Sequence, residues 1–415
     1  MRFMYNLFLR IYLAAAHIAA WFQPKARLWV KGQKGWQQHL PQGWNPRPGA
    51  PVLWMHCASL GEFEQGRPVL EALQQQYPRL VVVLTFFSPS GYEVRKNYAR
   101  ADRVLYLPFD GPRNAKLFLD AVQPTVAIFV KYEFWHYYLH ALKARNIPAL
   151  LIAGIFRPKQ PFFQKWGSFH RQMLECFACL FVQNEASVAL LQSIGLHDKT
   201  VQAGDPRFDR VLATAQHWQP DAVTAKFVNE GPVLVAGSTW PQDEQLLAGW
   251  LALQPEWKLI VAPHEVDETH LRHIEKLFPG ALRYSVAEAA GGPLEANKVL
   301  LIDRIGLLAR LYKYGTVCYV GGGFNKSGHH NILEAAVYGK AVITGPVYEK
   351  FAESVALKAA GGSFTVRDSA EMNKVMGQIS FAEAGAIAAR YVSGQAGATN
   401  RILHWIQEKR LLTSA

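Results

Sequence analysis

At 415 residues the chain is longer than the roughly 250–300 residues that one hydrophobic core ordinarily organises, so two domains are expected. Half the residues are hydrophobic and 18% are charged, which excludes a disordered chain. A formal net charge of +12 calls for an anionic partner, and with no DNA- or RNA-binding signature the reading favours a membrane surface or an anionic substrate over nucleic acid.

The first 20 or so residues set the tone. Residues 3–22 form an apolar stretch long enough to cross a bilayer, interrupted by Asn6, Arg10 and His17. On a helix these three fall on one stripe, and a charge at mid-bilayer is costly, so a helix lying in the interface or entering only one leaflet is favoured over a clean span. Arg2, Arg10, Lys25, Arg27, Lys31, Lys34 and Arg47 all precede the first acidic residue, Glu62, as expected beside an anionic cytoplasmic leaflet. Trp21, Trp29 and Trp36, interleaved with these cations, read as an interfacial belt. The stretch has no convincing signal-peptide cleavage site.

From residue 51 onward, apolar runs alternate with amphipathic helical stretches. Runs at 52–56, 80–86, 104–107, 126–130, 149–153 and 179–183 predict buried strands of a mainly parallel sheet. Periodicity weakens over 210–231, and a second series follows at 233–236, 258–262, 299–302, 317–320 and 341–344. Two doubly wound, Rossmann-like α/β domains in tandem are the GT-B glycosyltransferase architecture, with a cleft facing the carboxyl ends of both sheets. The expected organisation is a membrane-associated helix over 1–24, an acceptor-side domain over 25–215, a nucleotide-sugar-binding domain over 216–380 and a helical tail over 381–415 packing across the domains. Cys176 and Cys179 form a lone C-x-x-C in an apolar stretch and read as buried, reduced thiols, which together with Cys57 and Cys318 suits the cytoplasm.

Chemistry-bearing residues recur where strands end. After the first run comes Ser59-Leu60-Gly61-Glu62. The Ser-to-Glu spacing is that of a helix capping box, yet the turn faces the expected cleft, where a carboxylate freed from the cap can act as a general base. Glu133, within Lys131-Tyr132-Glu133-Phe134-Trp135, is either a local anchor or an acceptor of sugar hydroxyls between aromatic faces. In the second series, Gly237-Ser238 forms a small-residue turn that lets an anion approach backbone amides. Pro263-His264 ends another strand. Gly321-Gly322-Gly323 leads through Lys326 and Asn331 to a helix carrying Glu334. A glycine-rich turn before a helix start is a phosphate cradle, with Glu334 placed for ribose hydroxyls, and its spacing is neither that of a P-loop nor that of a dinucleotide fingerprint. No carboxylate cluster calls for a metal, and no cofactor is expected.

Together these motifs resemble the Kdo transferases, which move the acidic sugar Kdo (3-deoxy-D-manno-octulosonic acid) from CMP-Kdo to lipid A precursor. Ser59-Leu60-Gly61-Glu62 matches the family's Ser-x-Gly-Glu turn, and the resemblance implies that Glu62 is the catalytic base, with Ser59, Gly61 and Glu133 on the acceptor side. Glu133-Phe134-Trp135 is similar to its Glu-x-Trp segment, Gly204-Asp205-Pro206-Arg207-Phe208-Asp209 to its Gly-Asn-x-Lys-(Phe/Tyr)-Asp, and Asp303-Arg304-Ile305-Gly306 to its Asp-Thr-x-Gly. The run from Gly321 to Ala335 resembles its Gly-Gly-Ser…Gly-Gly-His-Asn-x-Leu-Glu-Pro-Ala, implying donor-site roles for Gly322, Gly323, Asn331 and Glu334. His264 also carries over. The chain departs from the pattern at Ala262-Pro263-His264, where the family usually has Pro-Arg-His. An arginine expected at the nucleotide phosphate is therefore missing, leaving Lys326 or Arg304 to compensate.

The resemblance implies inverting transfer of Kdo to the 6′-hydroxyl of tetraacylated lipid A precursor (lipid IVA) in lipopolysaccharide inner-core synthesis. The expected location is the cytoplasmic face of the bacterial inner membrane. Two other readings remain: a membrane-associated GT-B enzyme using a UDP-sugar, and a non-catalytic nucleotide-sugar receptor.

Overall fold

The computed structural model describes residues 1–412 except 42, 229, 230, 293 and 295. The chain forms two compact units, one comprising Met1–Asp209 with Ala396–Ala415, the other Arg210–Gln395. The stretch read as one tail is thus divided, with the helix Phe381–Gly394 in the second unit and the helix Ala398–Glu408 in the first.

The first unit holds a seven-stranded parallel sheet of β1 (Val52–Cys57), β2 (Val81–Phe86), β3 (Arg103–Tyr106), β4 (Val126–Val130), β5 (Ala149–Gly154), β6 (Cys179–Val182) and β7 (Thr200–Gln202), in the order β3-β2-β1-β4-β5-β6-β7. β1, β2 and β4 are buried along their whole length, which is why they read as unbroken apolar runs: both faces of a parallel sheet are covered. Alternation still sorts the side chains. Leu53, Met55 and Cys57 enter the core on one face with Ile402 and Ile406 of the C-terminal helix, while Trp54 enters the other.

The second unit repeats the plan with β8 (Val233–Thr239), β9 (Lys258–Pro263), β10 (Leu282–Arg283), β11 (Val299–Leu301), β12 (Val317–Val320), β13 (Ala341–Thr344) and β14 (Ser363–Thr365), ordered β10-β11-β9-β8-β12-β13-β14 and again parallel. In both sheets the winding reverses beside the first strand, between β1 and β4 and between β8 and β12. These are the switch points at which doubly wound sheets bind ligands.

The N-terminal helix Arg2–Phe22 is, by length and composition, long and apolar enough to cross a membrane. It has two apolar faces. Tyr5, Leu9, Leu13 and Ala16 pack on the first unit, where the Tyr5 hydroxyl donates to Asp110 Oδ2 (2.6 Å) and the Tyr137 hydroxyl to Asn6 Oδ1 (2.6 Å). Phe3, Leu7, Ile11, Ile18, Trp21 and Phe22 are exposed. The expected tryptophan belt is corrected: Trp21 is exposed, but Trp29 and Trp36 are core residues, their rings packed against Phe87 and Phe109 and against Phe118 respectively. Arg47 pairs with Asp102 (2.6 Å) while staying over a third exposed.

Candidate active-site residues in the two units

In the first unit the β1–β4 switch point gathers Ser59, Gly61, Glu62 and Glu133. Ser59 is the N-cap of the helix Leu60–Gln76 by backbone conformation alone, because its side chain makes no capping bond. The reciprocal capping box is therefore not formed. Glu62 reaches back instead, accepting from Ala58 N–H (2.5 Å) and from the Ser59 amide. Burial and the nearby negative charge of Glu133 raise its carboxyl from the ordinary 4.5 to about 8, against the opposing pull of these amides and of Lys131.

Glu133 is buried between aromatics in the β4 loop, and its Oε2 accepts from His56 Nε2–H (2.9 Å) and Trp135 Nε1–H (2.7 Å). His56 Nδ1 lies 2.9 Å from the Thr85 hydroxyl, whose oxygen accepts from Trp54 Nε1–H (2.9 Å). This chain of partners fixes the Glu133 carboxylate, and Lys131 beside it holds a left-handed backbone conformation (φ 69°). Sequence reasoning missed His56 and Thr85. The available signal was a histidine within an otherwise apolar strand, two residues from Trp54 and so on the same face.

In the second unit Gly237, Ser238, Pro263, His264, Gly322 and Gly323 come together at the carboxyl ends of β8, β9 and β12, where Gly321 N–H donates to Gly237 O (2.9 Å) and His264 N–H to Thr239 O (3.0 Å). The glycines answer to geometry. A Cβ on Gly237 would meet the Tyr312 hydroxyl at 2.1 Å and one on Gly323 the Gly345 backbone at 2.6 Å, whereas Gly322 has φ +90°. The Gly322 amide is not free for phosphate, since it donates to Asp243 Oδ2 (2.8 Å). Asp243 also accepts from Trp240 N–H (2.9 Å) and the Tyr319 hydroxyl (2.7 Å).

Three rings cluster on this edge. His264 stacks with Trp240 (centroids 4.8 Å apart) and with His330 (4.3 Å), and Trp240 Nε1–H donates to His330 Nε2 (3.2 Å). Burial lowers the pKa of both imidazoles, that of His330 to about 4 with neighbouring imidazoles adding to the effect. Burial thus disfavours their charged forms and leaves them suited to stacking and hydrogen bonding. Trp240, Asp243 and His330 were not singled out from sequence, although Trp240 directly follows one quoted motif and His330 lies within another.

The helix expected after the glycine loop is a single turn, Leu333–Ala336, ended by the turn that carries Gly339 (φ +68°) into β13. The helix-dipole part of the phosphate-cradle expectation therefore has little helix behind it. Asn331 Oδ1 accepts from Leu333 N–H (3.2 Å), and Asn331 Nδ2–H donates to Glu334 Oε1 (3.3 Å). Burial raises the Glu334 carboxyl, and the positive charge of Arg210 opposes that. Lys326 is exposed on the loop. Arg304, the other cation expected to compensate for the missing arginine, is bound bidentately by Glu288 (2.6 and 3.2 Å).

The family described as 3-deoxy-D-manno-octulosonic-acid transferase (kdotransferase) matches residues 34–210. A bifunctional glycosyltransferase/methyltransferase of Fusobacterium nucleatum is 25% identical over 319 residues, 74% of this chain but only 49% of its own length. The 3-deoxy-D-manno-octulosonic acid transferase of Haemophilus influenzae is 26% identical over 302 residues, 71% of this chain and 70% of that one. Among solved structures, the UDP-GlcNAc 2-epimerase of Neisseria meningitidis superposes with a TM-score of 0.60 over 86% of this chain and 100% of its own, at 16% identity, a likeness of fold. The chain thus has two doubly wound units of the GT-B fold and is similar in sequence to the Kdo transferases over about seven tenths of its length.

Proposed function

We propose that the chain transfers Kdo from CMP-Kdo to the 6′-hydroxyl of tetraacylated lipid A precursor, with inversion, at the cytoplasmic face of the inner membrane. Kinship supports Kdo transfer as the general activity. The observation that carries the specific reading is Glu62: a carboxyl at a sheet switch point, not locked in a reciprocal cap, raised to about 8 by burial and by Glu133. A carboxylate of that basicity is matched to taking a proton from an alcohol near neutral pH.

In this reading the first unit activates the acceptor. Glu62 takes the hydroxyl proton as the oxygen attacks the anomeric carbon of Kdo and the bond to CMP breaks. Ser59, Gly61 and Glu133 lie on the acceptor side, with Glu133 held by His56 and Trp135. The second unit grips the donor. Gly237, Ser238, Pro263, His264, Gly323, Lys326, Asn331 and Glu334 line its edge, and Gly322 shapes the loop through Asp243. The exposed apolar face of the helix Arg2–Phe22, flanked by Arg10 and Lys25, lies in the membrane surface and keeps enzyme and lipid acceptor together.

The test is to incubate purified protein with CMP-Kdo and tetraacyl lipid A precursor and weigh the lipid. A gain in units of Kdo, lost in Glu62→Gln, is expected. No gain, with sugar transferred instead from a UDP-sugar, would replace this reading with that of another glycosyltransferase.

A further inference from the structure

The first unit contains a cavity of about 490 Å³ that neither the proton-transfer step nor the fold requires. That volume lies within the range of about 300–1,000 Å³ typical of small-molecule sites. Its walls are mainly apolar: Met4 and Phe8 of the N-terminal helix, then Trp135, Phe162, Phe169 and Met173. The last three are nearly fully buried, whereas Met4 and Phe8 are 57% and 61% exposed. The cavity therefore reaches the surface on the helix that also presents Phe3, Leu7, Ile11 and Ile18 outward. Its polar lining comes from Tyr132, Glu133 and His170. The Nδ1 of His170 is buried and has no hydrogen-bond partner among the described residues.

We infer that this cavity seats one saturated hydrocarbon chain of the acceptor lipid. The inference rests on the lipid-acceptor reading above and deepens it. Three observations converge. The apolar walls suit methylene groups, and the polar lining is confined to Tyr132, Glu133 and His170 among the residues named. Met4 and Phe8 belong both to the cavity and to the outward apolar face, so a chain can pass from a membrane into the cavity without crossing water. Glu133 lines the cavity and its charge acts on Glu62, so the chain's polar head is delivered beside the base. The unpartnered His170 nitrogen suits the carbonyl that heads an acyl chain.

Two measurements with the full chain test this. First, tetraacyl lipid A precursor carrying a diazirine at its acyl termini is photolysed with the protein on vesicles, and cross-links are mapped by mass spectrometry. Cross-links at Phe162, Phe169 or Met173 are expected, while cross-links confined to Ile11, Ile18 and Phe22 would reduce the contact to simple surface adsorption and overturn the inference. Second, KM is compared for acceptors with full-length chains and with chains trimmed by four carbons, a difference of at least about tenfold in wild type given the contribution of each buried methylene. Met4→Trp, which fills the opening from a largely exposed position, should bring that ratio close to one, whereas Val355→Trp in the other unit should not. A ratio unchanged in Met4→Trp would overturn the cavity while leaving Kdo transfer intact. If no acceptor receives Kdo, the proposed function fails, and the cross-links still decide whether the cavity holds a chain.

Discussion

The two units place their candidate residues at equivalent points, the carboxyl ends of strands flanking a switch in winding, yet they put their buried carboxyls to different uses. In the first unit, two carboxylates share a partly buried corner, and despite two backbone amides and Lys131 one of them is raised to about 8. In the second, the acid at the switch point, Asp243, has three donors and is consumed in shaping the glycine loop, while burial lowers the pKa of two imidazoles. The comparison teaches that one fold position can serve reaction or grip. A buried carboxyl beside a like charge becomes a base, and one held by three donors becomes part of a rigid frame.

The sharpest way to break this contrast is to remove the base. Glu62→Gln keeps shape and helix geometry, and is expected to lower kcat by about 10²–10⁴-fold with little change in thermal stability, read by transfer assay and by melting. The corresponding change in the second unit should act on structure. Asp243→Asn leaves one acceptor oxygen for three donors, and denaturant unfolding should show a loss of about 1–3 kcal/mol, accompanied by a higher KM for CMP-Kdo.

Two further substitutions tune the base rather than remove it. Glu62 must be ionised to accept a proton, so kcat/KM should rise with pH through about 8 and level off above it. Glu133→Gln removes the like charge that disfavours ionisation and should move this rise to lower pH. Lys131→Met removes a favourable charge that acts on Glu62 more weakly than Glu133 does, and should move the rise upward by a smaller amount.

Much of the fold was legible because buried parallel strands leave unbroken apolar runs such as β2, where all six residues are buried. The strands that escaped, β7, β10 and β14, are two or three residues long and at most partly buried over most of their length, so no apolar run marks them. Glu62 and Glu133 were legible as acids at strand ends. Their coupling was not, since the Glu133–His56–Thr85 chain joins three strands or strand loops that are far apart in sequence. Trp29 and Trp36 were misread because tryptophans set among cations give the same pattern whether the rings face lipid or core. The glycine loop was legible as a loop with steric demands, but the tie from Asp243 to the Gly322 amide spans 79 positions and leaves no local trace.

The central claim is that Glu62 is a base poised by burial and by Glu133. It is tested most directly by the pH dependence of kcat/KM for Kdo transfer to the lipid acceptor, measured for wild type, Glu133→Gln and Glu62→Gln. The account predicts a rise centred near 8 in wild type, displaced downward in Glu133→Gln and absent from the residual activity of Glu62→Gln. A rise in the ordinary carboxylate range, or one that persists unchanged in Glu62→Gln, would contradict it.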